Sequence, residues 1–362
     1  MMPRPGRGGP AVRLVGGASM ARFVGLDVSQ KLTAICVADE TGHRLWRGQC
    51  ATDPGQIERA VRGQAGEDAG IGVETGPMTP WLVHQLRDRG RNVVCLDARH
   101  ARAVLKMQMN ETDQNDAEGL AQIMRTGWYR PVRVRSLDAH RARALPGARA
   151  QLVGMTTRLS NHLRGVLKTF GMLPGAMRGL PFDRRVEELL ADRDDLVPIV
   201  RPMLTAWRQP REQIAAFDKE VRALAKKDPI CRLLMSVPGI GVLSVLAYVS
   251  TVEDPGRFAR SRPVGAHMGL TPRQHQSGEV DRSGRISRCG DTLARTLLHG
   301  AAVVLLTRVK RASPLKDWAQ AIAKRSGIGK ARVAVARKLS VILHSIWRSG
   351  EPFRWSQQAA AA

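Results

Sequence analysis

The chain has few cysteines, and their spacing excludes two common kinds of small domain. Its five cysteines are odd in number, and none belongs to a CxxC pair: Cys36, Cys50, Cys95, Cys231 and Cys289. This spacing argues against a disulfide framework and against a zinc ribbon. Scattered thiols of this kind are typical of a reducing compartment, so we expect a cytoplasmic protein.

Histidine motifs for metal binding and long apolar segments are also missing. The nine histidines include no HExxH motif, and no apolar run approaches the roughly 20 residues of a membrane-spanning helix. The first nineteen residues are rich in Arg, Gly and Pro and lack the apolar stretch of a secretory signal. We therefore expect no membrane partner, and either a disordered basic leader over residues 1–21 or translation that starts at Met20.

Acidic residues are scarce relative to basic ones. The 362 residues include 57 Lys and Arg against 32 Asp and Glu, which gives a net charge of +25. A compact chain with this excess repels itself unless a polyanion is its usual partner. Nucleic acid fits best, because the release of counterions drives such binding. A base composition that favours arginine codons explains part of the arginine content, but not the excess over acids.

From Arg22 onwards the pattern predicts an α/β domain. Short apolar segments bounded by turn residues predict strands at 23–28, 32–38, 44–49, 71–74 and 93–97. Asp53 and Pro54 match the N-cap and first position of a helix, and further helices are expected after Pro77 and from Ala98 to about Met107. Three leading strands followed by alternating strands and helices predict a mixed sheet.

After Pro131 the strand patterns stop and helical patterns follow. Apolar residues spaced by three and four predict long helices over Leu152–Phe170 and Leu204–Leu224, separated by a Gly/Pro-broken stretch at Gly171–Phe182. Rows of apolar residues of this kind, here called seams, pack against other helices of the same chain at least as often as they form a dimer interface. Pro210 is expected to kink the second helix.

The third region combines a glycine turn with many arginines. Residues 233–249 predict a helix–hairpin–helix element around Pro-Gly-Ile-Gly. Gly239 and Gly241 would let a phosphate approach the backbone, where the next helix presents free N–H groups, although the same run also occurs as a plain tight turn. Seven arginines against two acids between Pro255 and Gly290 predict a basic loop with little core.

Four acids of the first region are candidate metal ligands. Asp27 lies inside a buried strand and Glu74 at the end of another, while Asp113 and Asp116 share one face of a helical turn. Carboxylates gathered in one place raise each other's pKa unless a cation neutralises them, and Mg²⁺ prefers such oxygen ligands. Taken singly, the two helical acids could balance the helix dipole and Glu74 could form an ion pair.

Six sequence runs carry a resemblance to a known family. Three lie in the first region and three in the last: FVGLDVSQ, GVETGP, NETDQNDAEGLA, SVPGIGVLSVLAYV, GLTPRQHQSGE and GRISRCGDTLARTLLHGA. In these runs, and in their order, the chain resembles the DEDD-type transposases of bacterial insertion sequences, the insertion sequence 110 family. The resemblance extends from Arg22 to about Phe353.

The resemblance implies a set of functional residues and partners. It implies an RNase H-like (RuvC-like) fold whose metal-binding catalytic acids are Asp27, Glu74, Asp113 and Asp116, with Mg²⁺ as cofactor. It also implies a catalytic Ser277, which would form a covalent phosphoserine link to DNA. Further implications are a structured guide RNA that pairs with donor and target DNA, and a dimer or tetramer in which the acids of one subunit meet the serine of another.

The surroundings of Ser277 in the sequence are compatible with a role at a phosphate. A serine hydroxyl is a weak nucleophile that needs activation, and Gly278 permits an exposed turn. Nearby arginines are candidate phosphate ligands: Arg273, Arg282, Arg285 and Arg288. Ser283 and Ser287 are rival serines, and His275 is interpreted as a surface residue rather than a general base.

These patterns predict an α/β protein with a helical second half. The expected domains are a leader at 1–21, an RNase H-like catalytic domain at 22–130, a helical coiled-coil region at 131–230, a mainly helical C-terminal transposase domain with the serine at 231–353, and a disordered tail at 354–362.

Two other protein classes share part of the pattern. Actin-like ATPases and sugar kinases also open with a strand carrying Gly-x-Asp, as at Gly25–Ser29, but they need a second phosphate-binding strand pair, and the later half of this chain is helical and basic. A non-catalytic helix–hairpin–helix DNA-binding protein would account for the charge. It gives no reason for an acid inside a buried strand.

Overall fold

A computed structural model describes residues 21–106, 110, 112–175 and 181–355. The chain divides into two compact units, one up to Leu137 and one from Asp138. The expected leader except Ala21, the alternative start at Met20, the expected helix end at Met107 and most of the expected tail lie outside the described residues.

The first unit contains a five-stranded mixed sheet. Its strands are β1 (Phe23–Val28), β2 (Leu32–Ala38), β3 (Arg44–Ala51), β4 (Gly70–Glu74) and β5 (Val93–Leu96). They lie in the order β3-β2-β1-β4-β5; β1 pairs antiparallel with β2 and parallel with β4. The remaining pairs are antiparallel for β2 with β3 and parallel for β4 with β5. The predicted mixed α/β sheet is confirmed.

Among the described residues of the first unit, four helices follow the strands, the last two in succession: α1 (Pro54–Ala65), α2 (Thr79–Asp88), α3 (Ala98–Leu105) and α4 (Asp113–Thr126). The predicted N-cap of α1 is confirmed, because the Asp53 side chain accepts a hydrogen bond from the Gln56 backbone N–H and Pro54 opens the helix. Asp97 and Thr112 cap α3 and α4 in the same way.

Beneath the middle of α4, the two faces of the sheet carry side chains of different size. One face presents large aliphatic residues to α1 and α2, including Val24, Leu26, Ile35, Ile71 and Val73. The other face presents Gly25, Ala34, Cys36, Ala38 and Gly72, against which α4 packs through Ala117 and Ala121. Small residues on this face allow the backbone of α4 to lie very close to the strands.

Gly25 shows how close this approach is. A Cβ atom at Gly25 would collide with the Ala117 carbonyl oxygen and lie 2.5 Å from the Ala121 backbone nitrogen. Both obstacles are backbone atoms, which cannot rotate away as a side chain can. The position therefore requires glycine as long as α4 keeps its place.

The second unit is built mainly from helices. Its elements are α5 (Leu137–Thr169), which starts at the last residue of the first unit, α6 (Phe182–Leu189), α7 (Val197–Lys227), α8 (Pro229–Leu234), α9 (Val242–Val252), α10 (Val264–His267), β6 (Pro272–Ser277), β7 (Val280–Ile286), α11 (Thr292–Thr307), α12 (Pro314–Ser326) and α13 (Ile328–Ser349), with a 3₁₀ turn at Pro255–Arg257.

The long helices α5 and α7 run antiparallel and pack on each other within the chain. Arg149 pairs with Asp218, and the Trp207 indole N–H donates to the Ser160 hydroxyl at 2.9 Å. Part of each predicted seam is buried in this packing, while Met155, Phe170 and Leu224 remain exposed. The seams thus pack intramolecularly over part of their length. Helix α7 continues through Pro202 and Pro210.

The C-terminal helices surround a second core. The buried Tyr248 hydroxyl of α9 donates to the Ser340 carbonyl of α13 at 2.8 Å, and the buried His344 is hydrogen-bonded to Ser261 and to the Pro255 carbonyl. Asp291, the N-cap of α11, also forms an ion pair with Arg143 of α5. These buried polar contacts link α5, α9, α11 and α13 into one unit.

Two expectations about the second half were wrong. Strands do not stop after Pro131, because β6 and β7 form an antiparallel hairpin in which Ser277 pairs with Val280. The segment expected to be a basic loop is therefore partly a hairpin, and residues before it contribute Val264, Met268 and Leu270 to the core. The hairpin strands are exposed and polar, so they lack the alternation of apolar residues by which strands are recognised.

Among the described residues, no helix combines the length and the apolar character needed to cross a bilayer.

We expect Gly25→Ala to destabilise the first unit by about 2 kcal/mol or more, because overpacking against backbone forces α4 away from the sheet. Gly63→Ala is the matched control, since a Cβ at Gly63 in α1 would meet nothing within 4 Å; it should gain up to about 1 kcal/mol from helix propensity. Urea unfolding of both variants measures the difference. Equal stability of the two variants would contradict the proposed role of Gly25.

Candidate active site and nucleic-acid surface

Asp27 and Glu74 lie side by side on adjacent parallel strands. The last register pair of β1 and β4 is Leu26 with Val73, and each acid is the next residue along its strand. The two side chains therefore project from the same face, on strands about 4.8 Å apart. Because Gly25 and Gly72 lie two residues earlier on the same strands, this is the face covered by α4.

Helix α4 delivers the other two acids to this face. Asp113 and Asp116 occupy its first turn, which the Thr112 side chain caps by accepting from the Asn115 backbone N–H at 3.2 Å. Asp113 precedes the sheet-facing Ala117 by four residues, so the two share a face of the helix. The face of α4 that packs on the sheet through Ala117 and Ala121 thus leads, in the first turn of the helix, to the two acids.

The electrostatics show that these carboxylates are neighbours. Burial, followed by the charges of Asp113 and Asp116, raises the pKa of Asp27 to about 6. Burial also raises the pKa of Glu74, and the charges of Asp27 and Asp116 raise it further, while Arg102 of α3 acts in the opposite direction. Negative charge is therefore concentrated at the carboxyl ends of β1 and β4, and Arg102 offsets part of it at Glu74.

The donor chemistry of this cluster fits a hard divalent cation. Carboxylate oxygens that are partly buried and mutually repelling are stabilised by an ion such as Mg²⁺. Within the described part of the chain, however, no three His, Cys, Asp or Glu side chains are arranged closely enough to hold a metal. The four acids share an electrostatic neighbourhood without forming a closed ligand shell.

Several residues that hold the site together were not singled out from the sequence. The Thr79 hydroxyl donates to the Glu74 carbonyl at 2.7 Å and accepts from the Gly76 N–H at 2.8 Å, which fixes the loop after β4. A signal for the glycines was present, because Gly-x-acid occurs on both central strands, as Gly25-Leu-Asp27 and Gly72-Val-Glu74.

Ser277 lies in the second unit, at the turn of the β6–β7 hairpin. It is exposed, and Gly278 after it has a φ of +55°, which favours glycine. The rival Ser283 lies on β7 facing Gln274, whereas Ser287 follows β7 and its hydroxyl accepts from the Cys289 N–H. Of the three serines, Ser277 alone is at the tip of the hairpin.

The predicted phosphate-binding arginines lie along or just after the same hairpin. Arg282 pairs across the strands with His275, and Arg273 donates to the Ser287 carbonyl at 3.2 Å. Arg285 and Arg288 line an open groove beside β7. Their side chains give the hairpin a positively charged surface around its exposed strands.

The two glycines of the helix–hairpin–helix element differ in their surroundings. Gly239 has a φ of +86°, and a Cβ there would lie 2.5 Å from the Ala301 carbonyl oxygen of α11. Packing against α11 thus accounts for this glycine. Gly241 precedes α9 as an exposed N-cap with no side-chain cap and open space around it.

Comparison with known proteins places the chain among the transposases. It is similar to the transposase for insertion sequence element IS1111A of Coxiella burnetii, with 28% identity over 344 residues that cover 92% of this chain and 91% of that protein. It is also similar to a probable family 20 transposase of Pseudomonas aeruginosa, at 28% identity over 76% of this chain and 83% of that one. A pilin gene-inverting protein of Moraxella bovis matches 33% of this chain at 26% identity, over 38% of its own length.

Two family models assign the chain more narrowly. Residues 24–172 match the transposase model for DEDD enzymes of the IS110 type, and residues 231–317 match the model of the transposase IS116/IS110/IS902 family. The chain belongs to the IS110 family of transposases, so DNA is its substrate.

The raised pKa of Asp27 predicts a pH-dependent stability of the metal-free protein. The folded pKa of about 6 exceeds the ordinary value of about 4, so the folded state binds more protons and the free energy of unfolding falls as pH rises from 4 to 6. Asp27→Asn removes this effect. We expect the variant to exceed wild type by about 1–2 kcal/mol at pH 7, allowing for solvent screening, with the advantage vanishing near pH 4.

Urea unfolding in EDTA at several pH values measures this difference. Asp39→Asn is a control of opposite sign, because hydrogen bonds led by that of Thr41 lower the pKa of the half-buried Asp39. A stability difference for Asp27→Asn that does not change with pH would contradict the prediction.

Proposed function

We propose that this transposase cuts and rejoins DNA through a divalent metal held by Asp27, Glu74, Asp113 and Asp116, with Ser277 as the nucleophile. The observation that carries the proposal is the juxtaposition of Asp27 and Glu74 on parallel strands beneath the helix that supplies the other two acids. The strand order and the mixed pairing are compatible with the RNase H-like fold expected for such a domain.

Mg²⁺ is the proposed ion, because its preferred ligands are the carboxylate oxygens that the site offers. When bound, it would supply a positive charge that stabilises the attacking and leaving oxygens at a phosphodiester. The protein's own contribution is to hold four acids on one face through the glycine–α4 contact. Arg102, which opposes the negative charge at Glu74, would balance part of the cluster.

Ser277 would supply the covalent step. Its Oγ forms a bond to the phosphorus while the bond from phosphorus to a sugar oxygen breaks; the serine proton passes to a general base, and the sugar oxygen leaves with a proton. The phosphoserine ester keeps the bond energy for rejoining, in which a sugar hydroxyl reverses the step. The exposed hairpin turn makes the hydroxyl accessible, and Arg273 and Arg282 lie on the same hairpin to bind phosphate oxygens.

The proposal also includes a guide RNA, an oligomeric assembly and a division of the chain into domains. We propose a structured RNA, encoded beside the gene, that pairs with donor and target DNA, and a dimer or tetramer that unites the acids of one subunit with Ser277 of another. The proposed domains are the catalytic domain at 22–130, the coiled-coil region at 131–230 and the C-terminal transposase domain at 231–353, in a cytoplasmic protein. The net charge of +25 supports a polyanionic partner.

Removal of the metal or of Asp27 should abolish DNA cleavage. We expect EDTA to stop the cutting of element-end DNA, Mg²⁺ to restore it, and Asp27→Ala to lower the rate by at least about a thousandfold, because the phosphate loses its charge stabilisation. Glu40→Ala, which removes an exposed acid of the same unit, is the control and should keep full activity. Full activity of Asp27→Ala would remove the acidic cluster from the mechanism.

Ser277→Ala should abolish strand exchange and leave nucleic-acid binding within about twofold, because it deletes one exposed hydroxyl and no charge. Denaturing gels of trapped reactions should show a protein–DNA adduct for wild type and none for the variant. Ser283→Ala, on the same hairpin, should exchange strands normally. An adduct that persists in Ser277→Ala, or that is lost in Ser283→Ala, would assign the nucleophile elsewhere.

A further inference from the structure

The second unit contains an open groove between β7, α12 and α13, at the base of the hairpin rather than at its tip. Its volume is about 1170 Å³, which exceeds the roughly 300–1,000 Å³ of small-molecule pockets. The hairpin ends that border it are Pro272 and Ile286, which face each other across the strands. The groove therefore has room for several linked units of a polymer.

The rim of the groove is strongly basic. Six cationic side chains line it, and no acidic side chain does so among the residues described: Arg262, Arg285, Arg288, Lys330, Arg337 and Lys338. All are exposed except Arg337, which is half-buried. The stem of Arg337 lies over Gly265, where a Cβ would be 3.0 Å from its Cγ. This charge distribution is complementary to a chain of phosphates.

The floor of the groove is apolar and includes an aromatic ring. Leu270, Ile286, Val333 and Val341 line it together with Trp318, which is 39% exposed although it is a large hydrophobic residue. A DNA duplex turns its charged backbone outwards and keeps its base faces stacked inside. An unpaired strand offers both phosphates and free base faces, which stack on aromatic side chains. The combination of floor and rim therefore favours a single strand.

The position of the groove relative to Ser277 favours DNA over RNA as that strand. Ser277 at the tip lies five residue steps along β6 from Pro272 at the groove, a distance of roughly 17 Å along the strand. A strand held in the groove is thus close to Ser277, and the strand that this serine is proposed to cleave is DNA.

We propose that this groove binds an unpaired segment of the DNA substrate, with phosphates on the basic rim and a base stacked on Trp318. The proposal rests on the proposed function only for the identity of the strand. It assigns a binding role to Arg262, Lys330, Arg337, Lys338 and Trp318 in addition to the hairpin arginines.

The charge of the rim is tested by Lys330→Gln/Lys338→Gln, which changes two exposed residues of α13. Binding of a 5′-labelled mixed-sequence DNA single strand is measured by fluorescence anisotropy in EDTA, where no cleavage occurs. We expect affinity to fall about tenfold and the slope of log affinity against log salt to decrease by about 1.4, the value for two lost phosphate contacts on a single strand. The matched control is Lys219→Gln/Lys226→Gln, which removes the same charge from exposed positions of α7 and should leave both quantities unchanged.

The stacking contact is tested by Trp318→Ala and Trp318→Phe. Loss of one stacked base should weaken binding by about five- to hundredfold without changing the salt slope, and phenylalanine should restore most of the affinity. Thermal unfolding identifies any variant that is misfolded. If Trp318→Ala does not fold, Trp318→Phe and the double lysine variant decide whether the groove binds the single strand. Duplex DNA and single-stranded RNA of the same sequence are tested in parallel.

Three results would overturn the proposal: equal losses in the groove and control lysine pairs, unchanged binding in a folded Trp318→Ala, or a greater effect on RNA or duplex than on single-stranded DNA. These assays involve no cleavage and leave Asp27 and Ser277 intact. Failure of the groove therefore leaves the proposed chemistry standing, and normal strand exchange by Ser277→Ala, which would refute the proposed nucleophile, leaves the groove standing.

Discussion

The close contact between helix α4 and the central sheet is the constraint on which the candidate active site depends. Gly25 and Gly72 remove the side chains that would separate the two elements, and Ala117 places helix backbone against the strand. The same strands carry Asp27 and Glu74 two residues further on. Because the first turn of α4 extends from this contact, the position of its acids is set by packing rather than by a flexible loop, which limits how far the four carboxylates can separate.

Much of the first unit could be predicted from the sequence, because buried strands and capped helices have strong local signals. The predicted strand at residues 23–28 coincides with β1, and Asp53 caps α1 as expected. The β6–β7 hairpin could not be predicted in this way. Its strands are held by their own pairing and by a two-residue turn at Gly278, with nearly all of their side chains in solvent, so no apolar periodicity marks them.

The composition of the candidate site could be predicted better than its geometry. The four acids were candidates from their positions on strands and in a helical turn, but the adjacency of Asp27 and Glu74 depends on parallel pairing across more than forty residues, which no local pattern encodes. The glycines show a second limit. Gly239 lies in a run typical of phosphate binding, yet α11 packs directly over it; a sequence does not distinguish a glycine required by a ligand from one required by a neighbouring helix.

The small residues beneath α4 have a chemical consequence for Cys36. This thiol lies opposite Gly25 on β2 and is completely buried, and burial is the main cause that raises its pKa to about 11. Hardly any thiolate is present at neutral pH, and alkylating or oxidising reagents cannot reach the sulfur while α4 covers it. Modification of Cys36 therefore requires α4 to move away from the sheet, which also separates the acids of the cluster, so reaction at this thiol reports on the opening of the site.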